Sequence, residues 1–202
     1  MTRSLKIAVA DDEADMRDYF ARILPRLGHE VVVAARNGRE LVERCYGAQP
    51  DLLIVDIAMP ELDGIAAAAE ICRSGPLPVI LVSGRHDAET LERAADPHIM
   101  AYLVKPIKQA DLEPAIALAV RRFEQFRALR QETSDLRQAL EERKLVERAK
   151  GILMKRAGLD EQQAFRRLQK LASDSNRRLV EIAESILTAE AAAAPPQKPE
   201  EK

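Results

Sequence analysis

Asp11 and Asp12, Asp56, Ser83 and Lys105 are the residues of this chain whose types and spacing could do chemistry together. Each follows a short, largely apolar run: Leu5 to Ala10 precedes the acidic pair, Leu52 to Val55 precedes Asp56, Pro78 to Val82 precedes Ser83, and Met100 to Val104 precedes Lys105. Three carboxylates brought to one place repel one another, so the set either takes up protons or binds a cation. An all-oxygen site with few protein ligands suits Mg²⁺, which keeps several waters and favours carboxylates combined with phosphate oxygens. With the cation bound, Asp56 can stay anionic and act as a nucleophile towards a phosphoryl group, giving an acyl phosphate. Such a transfer needs positioning and charge stabilisation on the equatorial oxygens: Mg²⁺ on one, Lys105 on a second, the Ser83 hydroxyl on a third. Taken singly, the residues have plainer uses. Asp11 and Asp12 could cap a helix beginning near Ala14, and Lys105 could be a solvated loop residue.

Bringing these groups together requires a parallel sheet. Residues 5–126 alternate short apolar runs with amphipathic segments, the rhythm of strands joined by covering helices. Strands are expected near 5–10, 30–34, 51–55, 78–82 and 100–104, with helices near 14–27, 37–48, 63–74, 87–95 and from 109 onward. Leu52-Leu53-Ile54-Val55 has no polar alternation, which suits a strand covered on both faces. Open α/β sheets place their ligand crevices outside the carboxyl ends of the strands, where all the chemistry-bearing residues would fall. The expected fold is a doubly wound five-stranded parallel sheet, followed by a long helix and a small three-helix bundle.

The helix starting at Gln109 has no evident stop before Gly158, because Pro114 falls in or near its first turn and Gly151 is its one internal glycine. Phe126, Leu129, Thr133, Leu136 and Leu140 recur at spacings of three and four. They mark residues 123–142 as a linker with a candidate coiled-coil seam, or else as an amphipathic helix lying on its own domain. Gly158 is the expected C-cap, and Asp160 with Gln163 forms a variant capping box. The next helix, with Ala164, Phe165, Leu168, Leu171 and Ala172 as its apolar stripe and Phe165 in the core, is expected to stop near Ala172 at Ser173-Asp174-Ser175-Asn176. Leu179, Ile182, Ala183, Ile186 and Leu187 form one face of a third helix. The Ala/Pro/Lys/Glu composition of 191–202 predicts a disordered tail.

Charge is unevenly shared. The formal net charge is −2. Between Arg143 and Arg178 eleven Lys/Arg face four Asp/Glu, a local net of +7 that leaves −9 for the remainder. An acidic domain joined to a basic one points to a polyanionic partner. No apolar run approaches the roughly 20 residues needed to span a bilayer, so a cytoplasmic protein without membrane contact is expected. Cys45 and Cys72 lack metal or CxxC spacing and read as reduced thiols. No GxxxxGK[ST] occurs, and His29, His86 and His98 are scattered, so the phosphoryl donor is another protein or a small phosphodonor. The chain is not expected to be an enzyme beyond phosphoryl transfer to its own Asp56 and hydrolysis there.

Asp11-Asp12, Asp56, Ser83, Tyr102 and Lys105-Pro106 fall in the order and spacing of the response-regulator receiver domain, a flavodoxin-like fold that residues 1–122 resemble. That resemblance implies Asp56 as phosphoacceptor, phosphorylated by a sensor histidine kinase or phosphotransfer protein. It implies Mg²⁺ held directly by Asp12, Asp56 and the Ala58 carbonyl, with Asp11 acting through water. Ser83 and Lys105 would stabilise the phosphoryl group, Ala58 and Arg85 would flank it, and Ser83 with Tyr102 would form a switch pair. Tyr102 could equally be static on an edge strand. A cis peptide at Lys105-Pro106 is also implied.

Arg148-Ala149-Lys150-Gly151-Ile152-Leu153-Met154, then Ala164-Phe165 with Leu168, then Leu179 and Ile182-Ala183, resemble the ANTAR domain over residues 136–190. This resemblance implies an RNA-binding output module that recognises stem-loops and acts in transcription antitermination. The residues assigned to RNA are Arg148, Lys150, Gly151, Met154, Lys155, Arg166 and Arg167. Gly151 carries a physical signal of its own: glycine inside a helix costs about 1 kcal/mol relative to alanine, so something must approach the backbone closely, either RNA or a partner helix. A protein-docking adaptor and a DNA-binding transcription factor are the competing functions. Phosphorylation is expected to favour a homodimer along the long helix.

Overall fold

In the computed structural model, which describes residues 3–84 and 97–193, Leu52–Asp56 is the central strand of a five-stranded parallel sheet. The strands are β1 (Lys6–Ala10), β2 (Glu30–Ala35), β3 (Leu52–Asp56), β4 (Val79–Ser83) and β5 (Ile99–Val104), in the order β2-β1-β3-β4-β5. Arg85, the helix expected at 87–95 and the tail from 194 lie outside the described residues.

Side chains alternate across a strand, and here both faces are covered. Leu53 and Val55 face a core shared with Leu41 and Val42 of α2 (Gly38–Ala48) and Ala67 and Ile71 of α3 (Gly64–Ser74). Leu52 and Ile54 face the opposite core, built with Phe20 and Leu24 of α1 (Ala14–Arg26) and Leu112, Ile116 and Phe123 of α4 (Gln109–Ala157). That is why β3 and β4 read as unbroken apolar runs. The strand order reverses between β1 and β3, and such a switch point opens a crevice at their carboxyl ends. Asp11 and Asp56 stand there. Buried Cys45 has its thiol pushed up to about 11 by burial, with Arg44 pulling weakly the other way, so it is a poor nucleophile at neutral pH.

His29 is buried, and its Nδ1 accepts the Leu5 N–H at 3.3 Å. Burial lowers its pKa below the ordinary 6.5, with the charge of Glu113 acting weakly upward. The unfolded chain therefore binds this proton before the folded one does. Its share of the stability is complete above about 6.5 and is lost as pH falls through the lowered folded value. Urea midpoints should drop on acidification through this window, and His29→Asn should remove that increment of the slope; equal slopes in both proteins would refute the assignment.

The chain divides into two units, Met1–Ala128 and Leu129–Lys202, with the boundary inside α4. The second unit comprises the rest of α4, α5 (Glu161–Ser175) and α6 (Leu179–Ala193). Gly158, at φ +63°, sits just beyond the end of α4, and both halves of the Asp160/Gln163 capping box form. Helix α5 runs past Ala172 to Ser175. The expected polar break stays helical, with Ser175 Oγ bonded back to the Leu171 carbonyl, and the stop is Asn176, which takes the left-handed conformation at φ 51°. Ala191 to Ala193, expected in the tail, complete α6.

The core of this unit is Ala149, Leu168, Ile182 and Ala183, flanked by Leu145, Val146, Leu153, Ala172, Leu179 and Ile186. Phe165 is not part of it: the side chain is 37% exposed. Ala164, Leu168 and Ala172, spaced by four, form the inward stripe, and Phe165 lies about 100° around the helix from Ala164. Fully buried Ala149 and Ala183 leave a small core that the short stripe fills.

Candidate functional site

The strand ends deliver the expected groups to one place. Asp11 is fully buried, Asp56 and Ser83 nearly so, and Asp12 is exposed. Lys105 Nζ lies 2.9 Å from Asp56 Oδ2, 2.9 Å from Asp11 Oδ2 and 2.7 Å from Glu13 Oε1. The Lys105-Pro106 peptide is cis, and the Lys105 N–H donates to the Ser83 carbonyl at 2.9 Å, which ties the two strand ends bearing the phosphoryl-stabilising candidates. Ala58, at the start of the following loop, donates its N–H to Asp56 Oδ1 at 3.4 Å.

Helix α1 begins at Ala14 with Glu13 as N-cap and without a side-chain cap bond, so neither Asp11 nor Asp12 is spent on capping it. Asp11 Oδ1 instead accepts the Glu13 N–H at 3.0 Å. Arg17 Nη1 donates to the carbonyls of Asp11 and Asp12 at 2.8 and 2.9 Å, fixing the acidic loop from the first turn of the helix. Glu13 and Arg17 are the site residues that sequence reasoning missed. Glu13 is signalled only by adjacency to the acidic pair. Arg17 sits one helical turn beyond that loop.

Burial raises the Asp11 pKa, partly countered by Lys105 and the Glu13 N–H and reinforced by the nearby Asp56 charge. For Lys105, burial alone would lower the pKa, but the adjacent carboxylates of Glu13, Asp56 and Asp11 outweigh it and hold the ammonium charged. The Lys105–Asp11 contact is an ion pair outside hydrogen-bond geometry, so Asp11 Oδ2 is buried without a hydrogen-bond donor. Asp11, Asp12, Glu13 and Asp56 each offer an oxygen within 4.8 Å of the others. Among the described residues four carboxylates face one ammonium there, and the orphaned oxygen and the surplus negative charge both fit a hard divalent cation.

Tyr102 on β5 is partly buried, packed against the core under α2 and α3. At the start of α3, Gly64 lies so close to the Asp56 carbonyl that a Cβ would collide with it.

In the second unit, Arg148, Lys155, Arg166 and Arg167 are exposed and Met154 is 37% exposed. Lys150 is buried. Its Nζ pairs with Glu161 at 2.7 Å and Glu147 at 2.8 Å and stands 5.9 Å from the Phe165 ring centroid. Nothing lies within 4 Å of a Cβ built on Gly151, which lines a groove with Arg148 and Lys155 of α4 and Leu187 of α6. Among the described residues, no partner helix comes close enough to account for the glycine. Among the described residues, no helix is long and apolar enough to cross a membrane.

Comparison with known proteins agrees with both halves. The response regulator receiver domain family matches residues 7–117, and the ANTAR domain family matches residues 134–187. Transcriptional regulatory protein PdtaR of Mycobacterium tuberculosis is 42% identical over 182 residues, covering 90% of this chain and 89% of that protein. The positive alginate biosynthesis regulatory protein of Pseudomonas aeruginosa is 34% identical over 119 residues, 58% of this chain and 48% of that protein. Among solved structures, a response regulator receiver domain protein from Clostridium thermocellum is 30% identical with a TM-score of 0.54, covering 60% of this chain and 98% of that one. The signal receiver domain of a modulated diguanylate cyclase from Desulfovibrio desulfuricans G20 is 28% identical with a TM-score of 0.56, covering 59% and 96%. The chain thus belongs to the response regulators, with a receiver domain joined to an ANTAR domain.

Proposed function

We propose that this response regulator accepts a phosphoryl group on Asp56 and then acts, through its basic unit, as an RNA-binding transcription antiterminator. The observation that carries the reading is Lys105 Nζ within 2.7–2.9 Å of three carboxylates, Asp56 among them, at the sheet's switch point. Asp12, Asp56 and the Ala58 carbonyl would hold Mg²⁺, with Asp11 acting through water, and the cation would neutralise charge on a phosphoryl oxygen. An Asp56 carboxylate oxygen attacks phosphorus as the bond to the donor's leaving group breaks. Lys105 and the Ser83 hydroxyl take the charge on the remaining oxygens, and the phosphoryl donor is a sensor kinase or phosphotransfer protein. Ser83 and Tyr102 form the switch pair.

Arg148, Lys155, Arg166 and Arg167 supply exposed phosphate contacts, and Gly151 gives a strand of RNA access to the backbone between Arg148 and Lys155. Met154 borders this surface. Lys150 joins it with its charge already matched by Glu147 and Glu161. Leu129, Leu136 and Leu140 are 63%, 65% and 54% exposed along α4, a stripe that suits pairing with a second copy after phosphorylation. Two linked modules would gain avidity on paired stem-loops.

Sizing and RNA-binding measurements with acetyl phosphate and Mg²⁺ test this. Phosphodonor should shift the protein to a dimer and tighten binding to a two-hairpin RNA, with log affinity falling against log salt at a slope of roughly −6 to −7 for eight contacts, four from each module. A DNA duplex of matched sequence should bind less tightly. Leu129→Glu combined with Leu136→Glu should leave Asp56 phosphorylation intact and lose both the dimer and the tight complex. Salt-independent binding, or equal affinity for the DNA duplex, would overturn the RNA assignment.

A further inference from the structure

Phe165 is the one aromatic residue between Leu129 and Lys202, and it sits at the surface of the basic unit. Its position is supported from below. Lys150 Nζ stands 5.9 Å from the ring centroid and is itself held by Glu147 and Glu161 at 2.7–3.0 Å. A cation fixed by two carboxylates from different helices holds the ring through its quadrupole, so the exposed aromatic is anchored in place.

The ring also borders two adjoining grooves. One is lined by Glu147, Lys150, Glu161 and Gln162. The other contains Arg143 and Arg178 and does not include Lys150. Arg178 holds Glu142 at 2.7 Å with its side chain 62% exposed, and Arg143 is exposed. The juxtaposition is therefore a flat apolar face, two guanidinium groups beside it, and the Gln162 amide in the neighbouring groove. Guanidinium groups pair with phosphates, an aromatic face stacks on a nucleobase, and an amide can donate to and accept from a base edge. A base inside a duplex is already stacked on its neighbours, so an aromatic platform selects bases that are unpaired.

We infer that Phe165 is a stacking platform for an unpaired base in the loop of a bound RNA hairpin, with Arg143 and Arg178 taking the adjacent phosphates. This rests on the RNA reading above. It assigns part of the recognition to a surface whose residues lie apart in sequence from the Arg148–Lys155 groove, and it gives the module a way to distinguish loops from stems.

The chain contains no tryptophan, so Phe165→Trp introduces a single selectively excitable reporter. The full chain, with phosphodonor and Mg²⁺, is titrated with three probes: a hairpin closed by adenosines, the same hairpin with an abasic loop, and a blunt duplex of the same stem. The adenosine loop should quench the tryptophan, and the abasic loop and the duplex should not. Phe165→Ala should weaken binding to the adenosine loop by about 10-fold to 100-fold without changing the salt slope, because stacking releases no counterions. Arg143→Ala should flatten that slope. Parent and Phe165→Ala proteins should bind the abasic hairpin alike. If Phe165→Ala binds the adenosine loop as tightly as the parent, or weakens all three probes equally with an unchanged circular dichroism spectrum, the platform is refuted while the RNA reading stands. If the parent binds none of the probes, both fall together.

Discussion

Asp56→Asn is expected to abolish uptake of a hydroxylamine-labile phosphoryl group from acetyl phosphate, because among the described residues no other carboxylate stands at a strand end with Lys105 and the Ala58 N–H on its two oxygens. Asparagine keeps the size of the side chain but its amide is not a competent nucleophile, and it removes one negative charge from the cation site. Lys105→Ala should act differently. The nucleophile remains, while one stabilising charge on the equatorial oxygens is lost, and removal of a single preorganised donor of this kind typically slows a reaction by about 10²–10³. The initial rate of phosphorylation should therefore be zero for the first variant and measurable but slow for the second. Label persisting in Asp56→Asn would reassign the acceptor to Asp12 or Glu13, the exposed members of the cluster.

Gly64→Ala should be the most damaging small substitution in the receiver. The added Cβ would run into the carbonyl of Asp56 and lie 2.7 Å from Val55 Cγ1, both on the central strand, where neither backbone nor packed valine can give way cheaply. Overpacking a well-filled site costs about 1–3 kcal/mol, and more where backbone must move. The strand that moves carries Asp56, the proposed phosphoacceptor, so phosphorylation should slow along with the loss of stability. Gly47→Ala is the control: it lies within α2, nothing stands within 4 Å of its added Cβ, and it should stabilise the protein by about 0.4–1 kcal/mol. Urea melts of the two variants should move in opposite directions; a Gly64→Ala protein as stable as the parent would show that α3 can withdraw from β3.

The sequence by itself determined the fold of the receiver, a five-stranded parallel sheet, because its code is local. Period-two burial with both faces covered leaves unbroken apolar runs at β3 and β4, each run ends on its candidate site residue, and a parallel sheet sends all those ends to the same edge. Gly158 and the Asp160/Gln163 box were legible for the same reason, since a cap is satisfied by residues within one turn. Charge partition along the chain separated an acidic unit from a basic one without any geometry.

Only the tertiary structure decided partners that no local pattern encodes. Glu13 joined the acidic cluster because Lys105, 92 residues away, reaches it. Lys150 read as an RNA-binding residue in the sequence, and the structure matches its charge with Glu147 on its own helix and with Glu161, eleven residues on, across the turn at Gly158. Phe165 read as core because helical periodicity marks an apolar face about 100° wide and does not rank the residues within it. Packing made the choice: α4 and α6 contribute fully buried Ala149 and Ala183, the bundle closes on Ala164 and Leu168, and the phenyl ring is left at the surface.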